Sequence, residues 1–491
     1  MQSLTILIPD FRVIAPELIL TATAFLVVLW ELVTRTKKHS ASFTIGMAGA
    51  VVALAVTLSE AGLNVSTFGN SIVLDPYATF FKVIFLFGLI LTMTLSLRFM
   101  KEGGTGDHAE YYALLLLATV GMMVMAVGRE LITIFLGLEI LSISLYILAG
   151  FFRTDLKSNE AGLKYFILGS VATCITLFGM SYIYGVTGST HFDKIADAIN
   201  SHPALLKDVP LLAGMFMVLV GFSFKISVVP FHMWTPDVYQ GAPTPVTGFM
   251  SAGPKAAGLA ALIRILMEAL PQMKGDWEVL VVVLSVLTMT LGNLTALRQK
   301  NVKRMLAYSS IAHVGYILIG VVASVNGRPD RAISSVMFYL LSYTFMNIGA
   351  FAILIYLKRE NMTGENLDDF QGLSRRAPGA ALAMMIFMLS LAGIPPTAGF
   401  AAKLYVFYAG IQGGYYTLVV IGLLNSVVAA FYYLRIIVLM YMREPEGEFA
   451  VSPRSLILWA GIALALTGTL ILGILPGGVL EAARLSVLSL M

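Results

Sequence analysis

One cysteine, Cys174, stands in 491 residues. The chain by itself therefore builds no disulfide, no cysteine-ligated iron–sulfur cluster and no cysteine zinc site. Its six histidines are too scattered to argue for paired haem ligation. There is no GxxxxGKS/T phosphate loop, no GxGxxG turn after a strand and no HExxH helix. Nucleotide hydrolysis and hydride transfer have no evident seat, so any work the protein does draws its energy from elsewhere. Charge is also scarce: 12% of residues are charged, against roughly 25% in a soluble domain. The net charge of +4 gives no reason to invoke nucleic acid.

What is abundant is apolar sequence, 58% of all residues. It falls into stretches long enough to cross a hydrocarbon core of about 30 Å as helices at 1.5 Å per residue. The expectation is an all-α polytopic membrane protein with about fourteen spans, centred near residues 23, 51, 88, 119, 142, 172, 219, 257, 287, 315, 345, 392, 427 and 465. The first, Val13 to Trp30, lacks a basic leader and is longer than a signal-peptide core, so it reads as a span. Cys174 falls in an apolar span and reads as a core thiol. Between spans 6 and 7, Ile195, Ala196 and Ile199 predict a short amphipathic helix. The segment from Lys358 to Arg376 and the MREPEGE stretch read as loops.

Placing both termini outside puts seventeen basic residues in inner connections and eight in outer ones, as positive-inside topology requires. Seven remain within spans: Lys82, Lys164, Lys225, Lys255, Arg264, Lys403 and Arg435. A lysine at the centre of a membrane helix costs about 2.5 to 3.5 kcal/mol on insertion scales. That cost makes these residues the place to look for function. Lys82, near a span end, is expected to snorkel or pair locally, and Lys164 can pair with Glu160 at i,i+4. Arg264 and Arg435 read as anchors.

Lys225, Lys255 and Lys403 differ because each lies beside a helix breaker. Pro230 cannot donate to the carbonyl of Ile226, Pro254 frees that of Met250, and Pro395 and Pro396 free those of Leu391 and Ala392. A charge beside unpaired backbone predicts a small hydrated pocket. The natural counter-charge for Lys225 is Glu139, the one carboxylate near the middle of its span, with Ser142 and Tyr146 along the same helix face. His313 has a side chain whose ordinary pKa of about 6.5 suits proton relay, although a hydrogen-bonded core histidine fits equally. His232 lies beyond the proline, and Trp234 suggests an interface, so His232 is a weaker relay candidate.

Spans 7 and 12, the two broken ones, are five spans apart. An odd repeat of five makes two copies inverted in the membrane, an arrangement that places a site near the midplane. The expected organisation is three N-terminal spans over 1–100, a first five-helix repeat over 110–270 (spans 4 to 8), and a second, inverted repeat over 277–442 (spans 9 to 13). A last span and tail occupy 455–491.

The stretches GFSFKISVVPFHMWTPDVYQGAPTPV, KRMLAYSSIAHVGY and GIPPTAGFAAKLYVF resemble signature sequences of the antiporter-like subunits of respiratory complex I and the related multisubunit cation/proton antiporters. The resemblance covers nearly the whole chain. Fourteen spans without a long lateral C-terminal helix, lysine at 403 where a sister branch carries glutamate, and the opening APELILTATAFLVVLW are similar to the subunit N branch. The resemblance implies two inverted five-helix bundles with broken helices 7 and 12. It implies proton-translocating roles for Glu139, the Lys225 it pairs with, Lys255, Lys403, His313 and Lys164. It further implies a subunit of an NADH-quinone oxidoreductase in a bacterial inner membrane, partnered by other membrane-arm subunits, including neighbouring antiporter-like ones. NAD, FMN, iron–sulfur clusters and quinone would sit in those partners and none in this chain. The rival readings are a subunit of a multisubunit sodium/proton antiporter, for which the lysine-rich interior with one central carboxylate is a poor match, and a non-conducting structural subunit.

Overall fold

The computed structural model describes residues 9–34, 39–102, 109–358, 364–444 and 455–490. Three helices, α1 (Ala15–Thr34), α2 (His39–Ser59) and α3 (Pro76–Glu102), come first, with a two-stranded antiparallel hairpin, β1 (Val65–Thr67) and β2 (Ile72–Leu74), between the second and third. This hairpin is an addition to the expected all-helical plan. Next come α4 (Ala109–Val127), α5 (Leu131–Ala149), α6 (Leu156–Thr187), the short α7 (Phe192–Ser201), α8 (Val209–Ile226), α9 (Trp234–Gly241) and α10 (Thr244–Arg264). The remainder is α11 (Lys274–Ala296), α12 (Val302–Asn326), α13 (Pro329–Leu357), α14 (Leu373–Arg376), α15 (Pro378–Ala392), α16 (Ala398–Gln412), α17 (Tyr416–Met442), α18 (Leu456–Ile474) and α19 (Gly477–Val487).

Among the described residues, thirteen helices are long and apolar enough to cross a membrane. The remaining expected span, the twelfth, centred near 392, is divided into α15 and α16, fifteen residues each. Span 7 is divided in the same manner, into α8 and α9. Both breaks begin with a residue in the left-handed region, Ser227 (φ 65°) and Gly393 (φ 87°), and both contain a cis proline, Pro230 and Pro396. At 393 glycine is required twice over: the backbone is left-handed, and a Cβ would sit 2.9 Å from Cδ of Lys403. Local sequence sets other helix ends. Asp155, Asn301 and Ser455 cap α6, α12 and α18 by accepting from the first turn, and α6 stops at Gly188 in the left-handed conformation.

The most apolar helices surround a core that is not itself uniformly apolar. Helices α10, α12 and α13 are buried along almost their whole length and pack against one another, and α10 and α13 also pack against α3. Lys255, His313 and Asn347 lie on these three helices and are buried with them. A helix buried all round has no solvent face on which to put polar groups, so its polar side chains must find partners inside the bundle.

Several expectations are corrected. Lys82 is fully buried rather than snorkelling, and is held by Glu17 of α1 at 2.8 Å. Arg264 is not an anchor at an interface. It lies in the interior between Asp75 (2.9 Å) and Glu268 (2.7 Å), tying the start of α3 to the end of α10. Cys174 is exposed on the outward face of α6, not in the core. The described part of the inner segment carries a 3-10 turn, Leu367–Phe370, as well as α14, because Asn366 and Asp369 cap each other's backbone. Residues 359–363 and most of the MREPEGE stretch lie outside the described residues. The tail folds back as α19, whose Ala483 and Val487 are buried and whose Arg484 holds Glu481. The amphipathic helix foreseen between spans 6 and 7 is α7, with Ile195 and Ile199 inward.

Candidate functional site

Five lysines are buried among the described residues: Lys82, Lys225, Lys255, Lys303 and Lys403. Two have carboxylate partners, Lys82 with Glu17 and Lys303 with Glu365 at 3.3 Å. The other three, all beside helix breakers, have no carboxylate within ion-pair distance among the described residues. Hydroxyls and main-chain carbonyls surround them instead.

Lys225, at the end of α8, donates from Nζ to Ser142 Oγ of α5 at 3.0 Å and to the Tyr165 hydroxyl of α6 at 3.5 Å. The expected direct pair with Glu139 is not formed. Glu139 is half-buried one turn before Ser142, and its carboxylate accepts from Thr173 of α6 at 2.9 Å. The reason is angular as well as axial: residues three apart on a helix are neighbours, so Ser142 occupies the place facing Lys225 and Glu139 turns toward α6. A cavity of about 10 Å³ beside Lys225 is lined by Lys225, Ser142, Tyr146, Thr176 and Thr173, the last of which holds Glu139. That is close to the smallest space that holds one water.

The break itself accounts for Trp234. Its indole N–H donates to the carbonyl of Phe224 at 3.0 Å and its ring stacks on Tyr165 at 4.4 Å, so it is a buried cap of the interrupted helix rather than an interface residue. His232 has a buried Nδ1 with no partner among the described residues.

Lys255 donates to Ser310 Oγ of α12 and lies 5.8 Å from the ring of Tyr239. The Met250 carbonyl, freed by Pro254, accepts from the Tyr239 hydroxyl at 3.0 Å. Next to Ser310 on the same helix, Ser309 shares a hydrogen bond with Tyr433 of α17. His313, one turn on, stands between two phenols, with Nδ1 2.7 Å from Tyr339 and Nε2 3.0 Å from Tyr433. In a neutral imidazole one nitrogen donates and the other accepts, so His313 is a two-sided connector.

Lys403 closes the series on α16. It donates to the carbonyls of Leu391 (3.1 Å) and Ala392 (2.9 Å) and to Ser426 Oγ (2.9 Å), and lies 5.1 Å from the Tyr316 ring. Those two carbonyls are the ones that the adjacent prolines deprive of helical donors. All three ammonium donors are therefore used. Tyr316 then accepts from Asn293, which accepts from Tyr432.

Lys164 lies apart from this set. It is partly exposed and pairs with Glu160 at 2.6 Å and Asp237 at 2.9 Å, while Arg304 holds Asp237 from the other side at 2.7 Å. Glu160, Asp237 and Arg304 border a cavity of about 210 Å³ at one mouth of the α6–α9 contact. The tyrosines at 165, 239, 339 and 433, with Thr173, Ser426 and Asn293, went unnoticed in the sequence. Their only signal is a hydroxyl or amide within an apolar span, and many other positions carry the same signal.

Comparison with known proteins follows this geometry. The family model described as NADH:quinone oxidoreductase/Mrp antiporter, transmembrane, matches residues 128–429, a stretch that holds Glu139, Lys225, Lys255, His313 and Lys403, with Tyr432 and Tyr433 just beyond its end. The NADH-quinone oxidoreductase subunit N of Trichlorobacter lovleyi is 47% identical over 97% of each chain. The chain belongs to the subunit N family. A subunit of respiratory complex I from Thermus thermophilus, solved with bound aureothin, is 34% identical and superposes with a TM-score of 0.80 over 95% of this chain and 98% of that one. A chain of the Mrp complex from a Dietzia species shares the fold, with a TM-score of 0.85 over 97% of each chain at 21% identity. Glu17, Glu60 and Lys82 fall outside the stretch matched by the family model.

Proposed function

We propose that this chain, an antiporter-like membrane-arm subunit of NADH-quinone oxidoreductase, moves protons along Glu139, Lys225, Lys255, His313 and Lys403. The observation that carries the reading is the contrast among buried lysines. Those elsewhere are locked by carboxylates, whereas Lys225, Lys255 and Lys403 are held by hydroxyls and carbonyls. A locked ammonium keeps its proton. One solvated by neutral groups changes charge when a neighbouring charge moves, because Coulomb interactions in a low-dielectric interior are strong.

The hydroxyls and His313 supply groups that accept on one side and donate on the other. The cavity beside Lys225 and Ser142 gives room for one water and reaches Thr173, which holds Glu139. The Lys164–Asp237–Arg304 cluster then serves as a charged mouth rather than as a link. Moving one charge against about 150 mV costs roughly 3.5 kcal/mol. The energy comes from redox chemistry in partner subunits, which on this reading carry NAD, FMN, iron–sulfur clusters and quinone. Spans 4 to 8 and 9 to 13 act as two inverted units, each with one broken helix, in a bacterial inner membrane with both termini on the outer side.

The family model, whose description also covers Mrp antiporters, leaves a sodium/proton antiporter subunit as the alternative. The test is NADH-driven acidification of membrane vesicles in sodium-free medium. Undiminished pumping is expected; pumping that requires added sodium overturns the proton reading.

A further inference from the structure

Outside the central series, a second cluster of charged groups is also buried. Glu17 near the start of α1, Glu60 at the end of α2 and Lys82 near the start of α3 meet at one end of the N-terminal three helices, and each is less than a tenth exposed. Lys82 is committed: it donates to Glu17 and to the Val13 carbonyl at 3.3 Å. Glu60 is not. Its Oε2 is enclosed and has no hydrogen-bond partner among the described residues.

Three features of the site favour the neutral form of Glu60. The cluster holds two carboxyls and one ammonium, so ionising both leaves a net negative charge in a buried place, and like charges at one site do not both ionise readily. Glu60 caps the C-terminus of α2, where its N–H donates to the Val56 carbonyl at 3.1 Å. That end of a helix carries partial negative charge and disfavours a carboxylate. The charged groups facing Glu60 are Glu17 and Lys82. Burial raises its carboxyl above the ordinary range, Lys82 acts against the shift and Glu17 adds to it.

We propose that Glu17, Lys82 and Glu60 form a second proton-binding site, outside the antiporter-like stretch, with the proton carried on Glu60 at neutral pH beside the Glu17–Lys82 ion pair. The site is mechanically joined to the central helices. Tyr77, five residues before Lys82, donates to the Ala260 carbonyl of α10 at 3.0 Å, and Asp75 holds Arg264 of the same helix. Helix α10 also carries Lys255, so a change of charge at Glu60 is felt along the element that bears the middle lysine.

The experiment is infrared spectroscopy of the intact assembled complex at neutral pH, wild type against Glu60→Gln, with assembly followed on native gels. The amide matches a neutral acid in shape and charge. The variant is therefore expected to assemble and to lose one deuterium-sensitive protonated-carboxyl band. An unchanged band pattern overturns the proposal, and so does failure of Glu60→Gln to assemble, since that shows the negative charge to be needed. In assembled complex carrying Glu17→Gln, Glu60 becomes the sole counter-charge of Lys82, and the same band is expected to vanish although Glu60 is intact. Its persistence there also counts against the site.

Discussion

Lys225→Ala is expected to leave the complex assembled while lowering proton pumping about tenfold or more, given that loss of a positioned proton carrier costs on the order of a hundredfold or more in catalysis. The expectation of normal assembly comes from what Lys225 touches. Its Nζ is held by two hydroxyls, so truncation strands no buried carboxylate. What is lost is packing of its methylenes in the region of Gly258. The same change at Lys82 would leave Glu17 buried without its counter-ion, and breaking such a pair costs about 3 to 5 kcal/mol. In membrane vesicles, NADH-quinone activity should fall together with pumping in the Lys225 variant, because the energy for the proton comes from electron transfer. Normal amounts of assembled complex with both activities intact would favour the non-conducting reading.

Lys403→Met is expected to be costly in two ways. Methionine keeps the length and the packing but removes all three donors, leaving the Leu391 and Ala392 carbonyls without partners in a break whose prolines cannot supply them. An unsatisfied buried polar group costs about 1 to 3 kcal/mol, so two of them should reduce the amount of assembled complex measurably on native gels. Pumping per assembled complex should fall as well, because Ser426 and the region of Tyr316 lose the charged group between them. Lys225→Ala and Lys403→Met thus separate by assembly, the first near normal and the second reduced. Equal assembly in both would contradict the role assigned to the carbonyls at the second break.

The prolines made much of this site legible in advance. A proline removes one donor at a known place, and the orphaned carbonyl is four residues back. At Met250, Leu391 and Ala392 the structure supplies a tyrosine hydroxyl and a lysine to those carbonyls. Three buried lysines, one central carboxylate and one histidine likewise stood out because charge is expensive in lipid. The absence of a direct Glu139–Lys225 pair was not legible. It depends on which of two residues three apart on α5 faces α8, and on how far α6 intrudes with Thr173 and Tyr165.

Trp234 was misplaced for a related reason. A tryptophan beside prolines has the composition of a membrane interface, yet its N–H is drawn inward by the Phe224 carbonyl that the break exposes. Lys82 and Arg264 required partners distant in sequence, at positions 17 and 75. No periodicity within one span reveals such partners. Of the fold, span positions were clear from apolar length alone, while the hairpin before α3 and the final α19 were too short to register against that background.

The central claim is that a lysine of the buried series gives up its proton during turnover, rather than serving as a fixed positive charge. Arginine separates these two roles, because it keeps the charge and the hydrogen-bond donors but does not deprotonate in proteins. The most direct measurement is the ratio of protons pumped to NADH oxidised in vesicles bearing Lys225→Arg, with assembly verified. A ratio well below wild type in a fully assembled complex is the predicted result; a wild-type ratio would show that Lys225 acts by its charge alone and would contradict the account.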